Sequence, residues 1–250
     1  MLVAEPVICL KGVALDYGGD EVVRDVDLTI GRGETKIILG PSGVGKSTIL
    51  KAVLGLLKPK RGEIHILGRE LSKLSERELV KVRLRMAIVF QQGALFDSMT
   101  VGENVSYRLR EHQILPETGI QTRVTDVLRF VGLEGAAKLK PAQLSGGMKK
   151  RVAIARALAP APDIFLFDEP TVGLDPVNAY NIEQLILKLK VRNVTIVVVT
   201  HDVGSASRLA DRIVMLHEGK FIFEGTPDEL KQSADKRVKV FLDPAHEAVA

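Results

Sequence analysis

The chain has 250 residues, 46% apolar and 26% charged, with 35 Lys and Arg against 31 Asp and Glu and a formal net charge of +4. That is the balance of a globular protein with a sizeable core, and it excludes a disordered or collagen-like chain. So mild a charge singles out neither nucleic acid nor a membrane surface as a partner, and the single cysteine, Cys9, reads as a small apolar strand residue in a reducing compartment.

The N-terminus carries Glu5 and Pro6 where an export signal would have a basic start and a long apolar core, so none is expected. No apolar run approaches the roughly 18 residues that span a bilayer. Residues 7–34 alternate as short strands about a turn at Gly18 and Gly19, which predicts an antiparallel β piece. Lys36 to Leu39 is then a compact apolar strand that runs into GPSGVGKST, and TILKAVLGLLK has apolar residues at helical spacing: strand, glycine loop, helix. Residues 62–71 predict further β structure, followed by a charged helix near Ser75 to Arg85 with Ser75 as its cap and Glu78 three residues on. The strand MAIVF comes next. From about Asp97 to Pro160 helical periodicity replaces strands and predicts a helical subdomain inserted in a domain spanning residues 1–232. IFLFDEP, TIVVVT and KFIFEG are later strands alternating with helices such as NIEQLILKLK, and continuous apolar runs of this kind belong to buried parallel strands. The tail, residues 233–250, is polar apart from VKVFL and reads as a surface helix with a frayed end. The fold class expected is α/β, a mixed β core with an antiparallel piece and a helical subdomain.

Two segments carry chemistry on their own. In Gly40, Pro41, Ser42, Gly43, Val44, Gly45, Lys46, Ser47 and Thr48, small residues let successive backbone N–H groups face phosphates, and the helix that follows adds a favourable dipole. Lys46 is expected on the β and γ phosphates and the Ser47 hydroxyl on Mg²⁺, which prefers oxygen ligands. Further on, Asp168 and Glu169 end an apolar strand, at the edge where α/β proteins bind ligands. Asp168 suits the metal and Glu169 suits the attacking water as general base; the plainer alternative is a surface acidic pair closing a strand.

With LSGGM at Leu144 to Met148, DEPTVGLD at Asp168 to Asp175 and THD around His201, the chain resembles the nucleotide-binding subunits of ABC transporters, in that family's order and spacing over about residues 7–230. The resemblance implies the P-loop NTPase fold in its ABC form, ATP and Mg²⁺ as cofactors, and ATP hydrolysis coupled to transport. It implies that Tyr17 stacks on adenine, although a tyrosine beside a hairpin turn is an alternative. Gln91, preferred over its neighbour Gln92, would coordinate Mg²⁺ or the attacking water, and His201 would hydrogen-bond the γ-phosphate. Ser145, Gly146 and Gly147 open a helix and would form a second phosphate site. In the family that second site serves a head-to-tail homodimer, in which it closes over the nucleotide held by the other subunit's Lys46 while Asp175 reaches across the interface.

Met148 in place of the usual Gln, together with QQGALFDSMTVGENVSYRLREH and the tail KRVKVFLD, is similar to the ATPases of the Mla/MCE lipid transporters, with Arg108 standing where that group has Pro before LREH. This narrower resemblance implies phospholipid as cargo, an MlaE-type permease, an MCE-domain protein and in some members a STAS-domain protein, and a peripheral place on the cytoplasmic face of the inner membrane. Another cargo, or a soluble ABC protein of DNA repair or translation, are the alternatives; the latter commonly carry coiled-coil insertions or a second cassette, and this chain has neither. Lys149, Lys150, Arg151 and Arg156, interleaved with Val152, Ile154 and Leu158, read as a solvated helix face rather than a nucleic-acid contact. No metal-ligand cluster of His and Cys is expected, and His65, His112, His217 and His246 read as structural.

Overall fold

The computed structural model describes residues 6–243, the side chain of Tyr17 excepted. In chain order the strands and helices are β1 (Pro6–Tyr17), β2 (Asp20–Gly31), β3 (Thr35–Leu39), α1 (Lys46–Val53), β4 (Arg61–Ile66), β5 (Arg69–Glu70), α2 (Glu76–Leu84), β6 (Met86–Val89), α3 (Val101–Glu111), α4 (Glu117–Phe130), α5 (Gly146–Leu158), β7 (Ile164–Asp168), α6 (Pro176–Lys190), β8 (Thr195–Thr200), α7 (Val203–Leu209), β9 (Arg212–His217), β10 (Lys220–Gly225), α8 (Pro227–Lys231) and α9 (Lys236–Leu242). They form two compact units, one built from the chain up to Arg83 and from Lys190 onward, the other from Leu84–Leu189.

In the first unit β1 and β2 pair antiparallel about the Gly18–Gly19 turn, and the four-stranded sheet runs β2-β1-β4-β5. Its apolar face alternates with solvated residues, as the period of two requires. A second group of strands in this unit is parallel at its centre: β3 pairs with β8 on one side and β9 on the other, and β10 closes on β9 as a hairpin. Every residue of β3 and β8 is buried, which is why Ile37 to Leu39 and Ile196 to Val199 read as unbroken apolar runs. Lys36 is the exception to that chemistry. Only 1% exposed, its ammonium lies 2.7 Å from Glu224 Oε1 and 3.0 Å from Glu34 Oε1, so the buried charge is paired twice.

The helix after the glycine loop is shorter than its apolar spacing suggests. Gly55 takes a left-handed conformation (φ 67°), its N–H donates to Ala52 O at 2.9 Å, and Leu56 N–H donates to Lys51 O at 2.9 Å. This Schellman arrangement satisfies the last carbonyls and ends α1 before the remaining leucines. In the second unit β6 and β7 form a parallel pair, α3 packs against α4 and α5, and between residues 97 and 160 the described residues are helical or irregular, with no strand, as expected. Among the described residues no helix is long and apolar enough to cross a membrane. Of the tail, α9 is capped by Asp235, whose carboxyl the Arg237 side chain pulls down to about 2, and residues 244–250 lie outside the described residues.

Two helices begin with reciprocal caps. Thr100 N–H donates to Glu103 Oε2 (2.7 Å) while Glu103 N–H donates to Thr100 Oγ1 (3.2 Å), and Thr226 and Glu229 repeat the pattern at α8. In both cases the backbone N–H of the threonine holds the glutamate below its ordinary value of 4.5. A carboxylate depressed in the folded state contributes stability that is complete above the unfolded value and is lost as pH falls through the folded one. The first turns of α3 and α8 are therefore expected to fray as pH falls below 4.5. Hydrogen exchange corrected for intrinsic rate should accelerate there in acid, and an unchanged protection factor would contradict the caps' role.

Candidate functional site

The parallel register of β3 and β8 sets Leu39 opposite Thr200, so Gly40 and His201 leave the same edge of the sheet one residue later. Gly40 has to be glycine, because a Cβ there would collide with the carbonyl oxygen of Leu216. The loop from Gly40 leads into α1 through Gly45, in a left-handed conformation (φ 109°) that costs glycine nothing. Ser42 and Gly43 are exposed, Pro41, Val44, Ser47 and Thr48 half-buried. Lys46 is buried, and its ammonium donates to Gly40 O and Pro41 O at 2.8 Å each, drawn back across the loop. The backbone left bare by Gly40, the N–H groups at the start of α1 and the lysine spanning the loop fit a polyphosphate. His201 is exposed on the turn into α7, a turn fixed by Thr200 Oγ1 accepting from Asp202 N–H (3.0 Å) and by Asp202 capping the N–H groups of Gly204 and Ser205. Tyr17 ends β1 opposite Asp20; its side chain, and with it the expected adenine stack, lies outside the described residues.

The second unit repeats the device. β6 and β7 pair with Val89 opposite Phe167, so Gln91 and the pair Asp168 and Glu169 leave one edge together. Gln91 and Gln92 are both exposed, whereas Asp168 and Glu169 are half-buried. Glu169 has φ 48°, a left-handed conformation uncommon outside glycine, asparagine and aspartate. Ser145 caps α5 by accepting from Met148 N–H (3.3 Å), leaving Gly146 exposed at the helix start, while Gly147 is buried against Asn178 so closely that a Cβ would collide with its Oδ1. Asn178 in turn donates to Asp175 Oδ2 (2.5 Å), and Asp175 Oδ1 accepts the N–H groups of Val177 and Asn178 at 3.0 Å each, which holds its carboxyl below the usual range.

The basic residues of α5 are not the solvated face that their spacing suggested. Lys149 is exposed, but Lys150 is 7% exposed, with its ammonium 3.4 Å from Glu169 O. Burial pushes that ammonium below its ordinary value, and the charges of Asp168 and Glu169 oppose the shift. Arg151 donates to Gly132 O (3.2 Å), and Arg156 to Gly93 O (2.9 Å) and Ala94 O (2.7 Å). Loop carbonyls with no ladder partner recruit these guanidinium groups, which periodicity alone does not reveal. Residues 93–100 are thus built from two sides. Arg156 also lies 5.8 Å over the Phe96 ring, Phe96 meets Tyr107 at 4.9 Å, and fully buried Asn104 accepts from Phe96 N–H (2.8 Å) and donates to the carbonyls of Phe96 and Thr100 at 3.0 Å. Arg108 is half-buried and donates to Met86 O (2.8 Å). Asn104 escaped the sequence reading; the available signal was a polar residue on the apolar stripe of Val101, Val105 and Leu109. Among the described residues Glu63, His65 and Glu70 bring three donor atoms within 4.8 Å of one another, but Glu70 is already committed to Lys73 (2.6 Å) and Ser72 (2.5 Å).

A phosphate loop at the end of a buried parallel strand, two carboxylates at the end of another, and a second helix start stripped of side chains define an ATP-hydrolysing cassette of the P-loop class. The chain belongs to the ABC transporter family, whose model matches residues 23–172. It is 46% identical over 226 residues to the intermembrane phospholipid transport system ATP-binding protein MlaF of Haemophilus influenzae, covering 90% of this chain and 86% of that one. The protein of the same name from Escherichia coli K12 is 42% identical over 238 residues, 95% of this chain and 88% of that one. Among solved structures, the dimeric ATP-binding cassette MJ0796 in a post-hydrolysis state with ADP and Pi superposes with a TM-score of 0.80 at 38% identity, covering 88% of this chain and 98% of that one.

The buried amide of Asn104 generates a direct expectation. Asn104→Ala strands the N–H of Phe96 and several carbonyls in a site where each unmade hydrogen bond costs about 1–3 kcal/mol. Proteolysis within residues 93–100 should rise while nucleotide affinity is unchanged; a loop as resistant as the wild type would show that Asn104 does not hold it.

Proposed function

We propose that this chain is the ATP-hydrolysing subunit of a phospholipid transporter, working as a head-to-tail homodimer beneath an MlaE-type permease with an MCE-domain protein and, where present, a STAS-domain protein. The observation that carries the reading is the identity to the MlaF proteins over nearly the whole of both chains. On this reading the catalytic cassette is residues 1–232, the tail is 233–250, and the protein sits on the cytoplasmic face of the inner membrane.

The residues divide the work by chemistry. The loop Gly40 to Thr48 and Lys46 bind and orient the phosphates, Tyr17 the base. Ser47, Gln91 and Asp168 offer only oxygen donors, which suits Mg²⁺ and not a softer metal. When bound, that ion would neutralise charge on the phosphate oxygens. Glu169 accepts a proton from the attacking water, and His201 donates to the γ-phosphate. Ser145, Gly146 and Gly147 present N–H groups and a hydroxyl to the phosphate held by the other subunit, with Asp175 across the same interface. The permease seat is the surface around residues 91–111, where Met99, Glu103, Tyr107, Arg110 and Glu111 line a cleft of about 270 Å³ and Phe96 is exposed. An aromatic and aliphatic cleft with charged margins suits a short helix from a membrane protein.

Glu169→Gln is expected to retain ATP binding, to lose turnover by roughly 10²- to 10⁴-fold, and to elute as an ATP-trapped dimer; a monomer with unchanged turnover rejects the mechanism. Ser145→Arg should abolish hydrolysis while its own subunit still binds nucleotide, and loss of binding instead refutes the two-subunit site. Gentle purification from native membranes followed by mass spectrometry should recover an MlaE-type permease and an MCE-domain protein. A permease of another kind would leave the ATPase in place and overturn the cargo.

A further inference from the structure

The first turns of α5 are joined to the segment 168–178 at two points. Gly147 lies against Asn178 with no room for a Cβ, and Asn178 is bonded to Asp175. One turn further along the helix, Lys150 is buried with its ammonium 3.4 Å from the carbonyl oxygen of Glu169. That carbonyl belongs to the residue whose backbone takes the left-handed conformation at φ 48°. Such a conformation is strained for a glutamate and persists only where its surroundings impose it. A buried ammonium aimed at its carbonyl, with the charges of Asp168 and Glu169 beside it, is such a surrounding. A lysine gives up its hydration to sit there, which a solvent-facing rotamer would not require.

We propose that Lys150 is a positioning residue for Glu169, and that through it α5 and the segment 168–178 move as one piece. The proposal rests on the head-to-tail reading given above. In such a dimer the N-terminus of α5 meets the phosphate held by the partner, whereas Glu169 serves the nucleotide of its own subunit. Filling one site therefore places the base of the other, and the two sites fire together because one helix belongs to both. The contacts are internal to residues 145–178, so a shift of the helix start passes to Glu169 within one chain.

The test compares Lys150→Met, which keeps the stem and removes the ammonium, with Lys150→Arg, which keeps a donor, in the full chain assembled with its membrane partners. Hydrogen exchange of the peptide covering residues 164–175, measured on nucleotide-free protein, should be faster in Lys150→Met. Its kcat should fall on the order of 10- to 100-fold, the cost of a misplaced catalytic group, with KM and nucleotide binding unchanged and the Hill coefficient for ATP falling to near one. Lys150→Arg should restore most of the rate. A Lys150→Met protein with wild-type exchange, kcat and Hill coefficient overturns the proposal, as does a rise in KM at unchanged kcat. ATP-dependent dimerisation of Glu169→Gln, with and without Lys150→Met, separates the two readings. Failure of Glu169→Gln alone to dimerise overturns the head-to-tail arrangement and the coupling with it. Dimerisation together with an unaltered Lys150→Met protein overturns only the coupling.

Discussion

The parallel pairing of β3 with β8, in the register that places Leu39 opposite Thr200, is the constraint on which the phosphate-binding unit depends. Parallel strands buried on both sides expose only their ends, and the backbone groups that run out of ladder partners there are what a ligand can use. The glycine loop, Lys46 and His201 all follow from that one edge. Gly40 can approach Leu216 only without a side chain, and the Lys46 ammonium bonds the carbonyls of its own loop. The loop is thus shaped by contacts within its own chain.

The second unit solves the same problem with β6 and β7, where Gln91 and the two carboxylates share an edge. Its additional feature is that α5 is tied into the carboxylate segment by a lysine and by a packed glycine, while the far end of the same helix braces residues 93 and 94 through Arg156. One helix thereby touches three parts: the glycines at its start, the segment of Asp168 and Glu169 beside its first turns, and residues 93 and 94 near its end. Rigid secondary structure carries displacement over such distances because its internal hydrogen bonds leave it no softer way to respond.

The features legible in the sequence were those written in local spacing. The glycine loop, the strand that ends in Asp168 and Glu169, the LSGGM segment and the β1–β2 hairpin each need only neighbours within a few residues, so their residue types declare them. What escaped was set by partners distant in sequence. Asn104 is a polar residue in an apolar stripe until the carbonyls of residues 96–100 fold over it. Arg156 and Lys150 read as a solvated face because their acceptors, at residues 93, 94 and 169, lie on other segments. Helical periodicity reports which side of a helix is apolar, and it carries no information about carbonyls that turn toward a basic residue from elsewhere.

The sequence by itself determined the P-loop fold, the ATP chemistry and the family, since a phosphate loop, a strand-ending carboxylate pair and a signature at a helix start are local backbone devices that tolerate few other residues. The tertiary structure alone decided how Glu169 is held. The left-handed turn at Glu169, the buried ammonium on its carbonyl and the contact of Gly147 with Asn178 arise where two segments pack, and packing sums contacts between residues that the sequence leaves far apart.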